Sequence, residues 1–306
     1  MIPGSLGKGI AWMLLTVLVW APMFPTAKRA LPVVDAFTLS SIRYVLGGAI
    51  FVLLVVAIEG RRALRFGERV VPAIVLGLIG ITGFNSFVWV GLTYARPEHA
   101  AIIMAIQTPL TALLVWVLRG QRPANFTVAC IAVAIAGVLL VVTRGDPIAA
   151  IASLGKGDEL FGDILVFCGA LCWVAYTMGS GSFPGWSALR FTALTIIPGG
   201  FGLLAVNAAA LGAGVALMPS AAAVASLAPQ IVYFAAGTVV LGVLGFNASV
   251  KHLGPLNVML MLNVIPVSVF GIEAALGRAF APIELFGAAM VIGALVANNL
   301  YLRRRG

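Results

Sequence analysis

The chain has 306 residues, of which 61% are apolar or aromatic and only 9% charged, with a formal net charge of +9. Soluble globular proteins hold about 25% charged residues, so this composition excludes a water-soluble domain. Nucleic-acid binding is excluded as the source of the positive charge, because the basic residues sit at the ends of apolar runs and form no stripe interleaved with aromatics.

A bilayer core about 30 Å thick takes about 20 residues of helix. Runs of that length predict spans over residues 9–27, 36–58, 70–94, 98–118 and 124–142. A second set is predicted over 161–179, 187–211, 227–250, 255–276 and 281–302. None alternates as a barrel strand does. Lys8 and the apolar run behind it pass for the start of a signal peptide, but the run is too long for a cleaved core, so it is read as a retained span. Residues 146–160 form the linker between a first unit, 1–145, and a second, 161–306. Cys130, Cys168 and Cys172 fall inside spans with no histidine or carboxylate at ligand spacing, and read as buried thiols with no metal and no cofactor.

An even number of spans puts both termini on one face. Lys8, Arg61, Arg62, Arg65, Arg69, Arg119, Arg122, Lys251, Arg303, Arg304 and Arg305 gather on that face, against Lys28, Arg29, Arg96, Arg144, Lys156 and Arg278 on the other. The positive-inside rule makes the richer face cytoplasmic.

The two units repeat. Gly80, Gly83, Phe84 and Asn85 in the third span have the spacing of Gly242, Gly245, Phe246 and Asn247 in the eighth. Gly9 precedes Trp20 by the interval that separates Gly162 from Trp173, and Pro97 and Pro109 bracket the fourth span nearly as Pro255 and Pro266 bracket the ninth. Short matches of this kind arise by chance in apolar sequence, but several in one order argue for common descent. Five spans per unit is an odd number, so the second unit enters the membrane upside down. Such inverted repeats place a binding site near mid-membrane and work by alternating access.

Trp20 with Lys28 and Arg43, residues 91–101 leading to Pro109, and Leu253, Gly254 and Pro255 leading to Pro266 carry a resemblance to the drug/metabolite transporter superfamily. Within it, the chain resembles the ten-helix type with two EamA-like halves, and its overall pattern is similar to that of bacterial aromatic amino-acid exporters. The resemblance implies an all-helical basket around a central cavity lined by the first, third, fourth, sixth, eighth and ninth spans. Many EamA halves carry Gly-Glu after their fourth helix. Here the pairs are Gly120-Gln121 and Gly277-Arg278, so the role of that carboxylate does not carry over.

Polar side chains deep in a bilayer default to functional hypotheses. Asn85, Asn247, Gln107, Asn257 and Asn263 offer carboxamides suited to a zwitterionic head group, with hydrogen-bonded helix packing as the competing reading. Trp20, Trp89, Trp173 and Tyr176 supply flat apolar surface, and Met104 and Met259 adaptable walls. Trp12, Trp116 and Trp186 lie nearer span ends and read as interfacial anchors. His99, at the start of the fourth span, joins the cavity set as a proton sensor or a structural group. Pro109 and Pro266 read as hinges, with static kinks as the alternative. Arg43 meets a substrate carboxylate or snorkels toward head groups, the commoner behaviour.

Glu273 is the one acid well inside a predicted span, and the first span has none. That argues against proton exchange with cationic drugs and for neutral or zwitterionic cargo, carried down its own gradient. The expectation is a monomeric exporter of aromatic and other bulky amino acids in a bacterial inner membrane. A proton-coupled drug or metabolite antiporter is the alternative. A membrane-embedded enzyme is disfavoured for want of a catalytic constellation, and a channel for want of a filter or charged ring.

Overall fold

The computed structural model describes the chain except for residues 1–2, 108–109, 111–115, 118–119, 121, 147, 149–158, 254–257, 259–260, 263 and 306. Among the described residues it is all helical. Seven helical stretches are long and apolar enough to cross a membrane: Leu6–Ala30, Ala36–Ile58, Arg61–Tyr94, Asn125–Thr143, Glu159–Ser180, Ala188–Gly212 and Ala228–Leu253. Two shorter apolar helices, Val264–Ala275 and Pro282–Asn298, follow. Large apolar side chains such as Leu18, Leu53 and Phe201 stand about 70% exposed on the outside, which only a lipid solvent tolerates in such number. The chain is a multi-pass membrane protein.

In chain order the helices that matter for the site are α1 (Pro3–Trp20), α2 (Met23–Ala30), α3 (Ala36–Ile58), α4 (Val70–Gly77), α5 (Phe84–Tyr94), α6 (Pro97–Ala105) and α7 (Asn125–Thr143). There follow α8 (Glu159–Ser180), α9 (Ala188–Gly212), α10 (Ala221–Ser226), α11 (Ala228–Val232), α12 (Val243–Leu253), α13 (Val264–Ala275) and α14 (Pro282–Arg305). The first predicted span is broken: Pro22 and Pro25 remove two backbone donors, so α1 stops at Trp20 and α2 resumes at Met23. Lys28 at the end of α2 donates to the carbonyls of Leu92, Thr93 and Ala95 at 2.9, 2.8 and 2.7 Å. A cation thereby closes the carbonyl end of α5.

Two stretches wind more widely than an α-helix. Leu78–Gly83, between α4 and α5, and Tyr233–Gly242, between α11 and α12, are π-helical. Such wide turns are rare and cluster at functional sites. Thr82 Oγ1 donates to the Gly199 carbonyl at 2.8 Å across the first, and Trp20 Nε1 to the Thr238 carbonyl at 3.0 Å across the second.

Packing pairs elements that end by Thr143 with elements that start at or after Glu159. α1 lies on α12 and α5 on α8, while α3 packs on α9, α6 on α13 and α7 on α14. In lipid the association rests on close van der Waals approach, which small residues permit. A Cβ built on Gly162 would lie 2.5 Å from the Ala95 nitrogen and 2.6 Å from the Gly91 oxygen. Gly137 and Gly287 meet reciprocally, each within 2.7 Å of the other's carbonyl oxygen on the same measure. Gly120 and Gly277, the glycines of the two pairs noted above, both have left-handed φ (67° and 92°), the conformation that makes glycine the residue of choice there.

Candidate functional site

A cavity opens between the elements before and after the linker, with about 810 Å³ of empty space counting its mouth. Trp20, Phe84, Met104, Gln107 and Trp173 stand on its wall with Arg43. Among the described residues no acid lines it, and the polar side chains on it are those of Arg43, Tyr44, Gln107 and Thr238.

Aromatic rings make the continuous part of the wall. Trp20 meets Trp173 edge-on with centroids 6.1 Å apart and stacks on Phe246 at 5.6 Å. Trp173 lies 5.0 Å from Phe84 and 6.0 Å from Phe246. The four rings belong to the two residue pairs that the sequence spacing matches, Trp20 with Trp173 and Phe84 with Phe246. Sequence reasoning used Phe84 and Phe246 only as markers of the repeat; Phe84 lines the cavity, whereas Phe246 is buried behind the wall, packed against Trp20 and Trp173.

Arg43 does not snorkel. It is 2% exposed, with its guanidinium carbon 3.9 Å from the centre of the Trp89 ring and 4.9 Å from that of Tyr44. One of its N–H groups donates to Asn85 Oδ1, and Asn85 Nδ2 donates to the Ile81 carbonyl at 2.6 Å. Nε of Arg43 is buried without a hydrogen-bond partner.

The other expected site residues divide as follows. Asn85 and Trp89 are buried behind Arg43, holding it, and do not themselves line the cavity. Tyr176 supports Trp173 at 5.3 Å and shares a 3.0 Å hydrogen bond with Thr195, while Asn247 donates to Thr192 Oγ1 at 2.6 Å. Pro266 is buried in α13. Asn257, Met259, Asn263 and Pro109 lie outside the described residues.

His99 is fully buried, but in a separate cluster of charge at one end of the molecule. Its Nδ1 lies 3.0 Å from Asp163 Oδ2 and its Nε2 3.9 Å from Glu284 Oε1. Around them Arg96 pairs with Glu159 at 2.7 Å and with Glu284 at 3.4 Å, Arg144 with Glu159 at 2.8 Å, and Arg278 with Glu98 and, at 3.1 Å, with Glu284. Arg29 and Glu273 stand 3.5 Å apart nearby. Apart from Arg278 with Glu284, each pair joins a residue before the linker to one at or beyond Glu159. Glu98, His99 and Glu284 offer ligand atoms within 4.8 Å of one another; because Arg278 already engages both carboxylates, the group is an ion-pair cluster and not an open cation site. Sequence reasoning counted Glu273 as the one deep acid, whereas Glu98, Asp163 and Glu284 are 0%, 2% and 3% exposed.

Comparison with known proteins places the chain among transporters. Residues 7–143 match the model of the EamA-like transporter family. An uncharacterized transporter of Bacillus subtilis (strain 168), YrdR, is 29% identical over 98% of this chain and 94% of its own. A second from the same organism, YyaM, is 31% identical over 84% of this chain and 83% of its own. A crystal structure with 19% identity covers 98% of this chain and all of its own with a TM-score of 0.68, a likeness of fold alone.

Proposed function

The chain belongs to the EamA-like transporter family, and from that premise we propose that it exports aromatic and other bulky amino acids by alternating access. The observation that carries the reading is the aromatic wall. Trp20, Phe84 and Trp173 line one cavity, Phe246 backs Trp20 and Trp173, and the four come from matched positions of two sequence units, as expected where an inverted repeat builds its substrate site between the halves. The helix pairing supports the same arrangement: α1 on α12 and α5 on α8 are exchanged by a twofold relation between units 1–145 and 161–306, whereas α3 on α9, α6 on α13 and α7 on α14 map onto themselves. On this reading the fold has ten spans in two inverted sets of five.

The charge cluster supplies the second element of alternating access. Its ion pairs bind the two units at the end bearing Lys28, Arg96, Arg144 and Arg278, which the basic-residue bias makes periplasmic, with both termini cytoplasmic. At the opposite end Arg69 donates to the Ser182 carbonyl and Arg190 to that of Arg65, with no ion pair among the described residues. The cluster is a latch that holds the periplasmic side shut and must part for release. The protein works as a monomer in the inner membrane, and because no acid among the described residues lines the cavity, flux follows the substrate's own gradient.

Purified protein in liposomes, followed with labelled phenylalanine, threonine and a cationic dye with and without a pH gradient, tests this. Phenylalanine flux without an imposed gradient is expected; dye flux that requires protons, with no amino-acid flux, overturns the reading in favour of proton-coupled drug exchange. Trp20→Ala, which removes a ring from the wall, and Gln107→Ala are expected to lower phenylalanine flux about tenfold while leaving the protein monodisperse. Normal flux in both would detach transport from this cavity.

A further inference from the structure

We propose that Arg43 is the anion anchor of the cavity, and that the preferred cargo is a monocarboxylate with an apolar body, recognised without help from an amino group. This rests on the reading of the cavity as the substrate site and departs from the amino-acid reading in the head group, favouring a lone carboxylate over a zwitterion.

The argument starts from an imbalance of charge. Arg43 is buried inside the membrane-spanning body on the cavity wall, and no carboxylate among the described residues pairs with it. Its neighbours are neutral: one carboxamide oxygen from Asn85 and the faces of Trp89 and Tyr44. These orient the guanidinium without cancelling its charge, and Nε keeps a donor to give. A guanidinium stacked on a ring and gripped from one side presents its remaining donors as a planar fork, the geometry that carboxylates fit. Ionisable groups held this way in a membrane mark the path of a ligand.

The same wall disfavours an ammonium. Among the described residues no acid lines the cavity, and a cationic head finds there the Gln107 amide, the hydroxyls of Tyr44 and Thr238 and backbone carbonyls, with the charge of Arg43 close by. Trp20, Phe84 and Trp173 provide for an apolar body. The charge is also single. Thr195 follows its helix cap Ser187 at the interval that separates Arg43 from the cap Asp35, and Thr195 is spent on Tyr176. The second unit therefore adds no cation at the matching place, which suits a monoanion and not a dianion. Deaminated acids with aryl or branched-chain bodies fit this chemistry better than the corresponding amines.

Ligand binding to the purified protein at pH 7, read by tryptophan fluorescence and by thermal shift, tests the assignment with two acids, 3-phenylpropionate and hexanoate, against two amines of like body, 2-phenylethylamine and hexylamine. The acids are expected to bind about tenfold or more tightly than the amines, the discrimination a charge-assisted hydrogen bond provides. Arg43→Gln should erase that preference and Arg43→Lys retain part of it. Should Arg43→Gln fail to fold, Asn85→Asp is decisive: it gives Arg43 an internal counter-ion, should leave the protein monodisperse, and should weaken acid binding about tenfold. Equal binding of acids and amines, absence of acid binding, or acid binding unchanged in Asn85→Asp overturns the proposal. Acid binding without phenylalanine flux would sink the amino-acid reading and leave the anchor standing; phenylalanine flux indifferent to Arg43→Gln would do the reverse.

Discussion

Replacing Glu284 by glutamine is expected to shift the protein toward the state open at its latched end. The Glu284 carboxylate is 4% exposed, and its Oε1 lies 3.1 Å from Arg278, 3.4 Å from Arg96 and 3.9 Å from both Arg144 and His99 Nε2. Three guanidinium groups thus share one buried negative charge. Removing one partner of a buried ionic cluster costs about 3–5 kcal/mol, because the groups left behind remain desolvated. If the proposed latch holds, that cost falls on the closed conformation alone. Glutamine keeps an oxygen for the 2.8 Å bond from the Ala281 N–H that caps α14, so helix loss is not the expected consequence. A cysteine at Ala101, on the cavity wall, reports the result in a background with Cys130, Cys168 and Cys172 changed to serine. Its labelling by a membrane-impermeant maleimide from the latched side should rise at least about tenfold, the consequence of a bias of more than 1.4 kcal/mol. Unchanged labelling would mean that the cluster is not a latch.

Gly162→Leu is expected to be the most damaging single substitution in the packing. The α5–α8 seam has backbone against backbone at this point, with the Ala95 nitrogen and the Gly91 oxygen where a side chain would start. Neither atom belongs to a flexible side chain that can step aside, so the helices must separate or tilt. Overpacking of a well-filled interior costs about 1–3 kcal/mol, and a four-carbon side chain at a backbone contact belongs at the upper end. The displacement is transmitted to Trp173 on the same helix, so detergent-solubilised protein should lose thermal stability and flux should fall together. A stable Gly162→Leu protein with full flux would show that the seam opens freely. Gly200→Leu, on α9 where nothing lies within 4 Å of an added Cβ, is the matched control and should be silent.

What the sequence discloses and what it withholds follow from the solvent. Long apolar runs stand out because lipid demands them, and paired spacings stand out by counting alone, as for Trp20 with Trp173 and Phe84 with Phe246. Helix faces are another matter. Lipid and protein interior are equally apolar, so a spanning helix carries little periodic sign of which side faces its neighbours. Glu98, Asp163 and Glu284 sit at or near the starts of their helices, where a carboxylate reads as a wetted end. They are buried by helices distant in sequence, a fact of assembly and not of local sequence. Arg43 was ambiguous for the same reason: its depth was legible, but its neighbours Trp89 and Asn85, both on α5, were not.

The wide turns ahead of α5 and α12 have a rotational consequence. An α-helix advances about 100° per residue, so each residue absorbed into or released from such a turn swings everything beyond it around the axis by that amount. Leu78–Gly83 immediately precedes Phe84, Asn85 and Trp89, and Tyr233–Gly242 shortly precedes Phe246 and Asn247. One register step in the first stretch would carry Phe84 away from the chamber, and one in the second would draw Phe246 from behind Trp20, with no proline needed as a pivot.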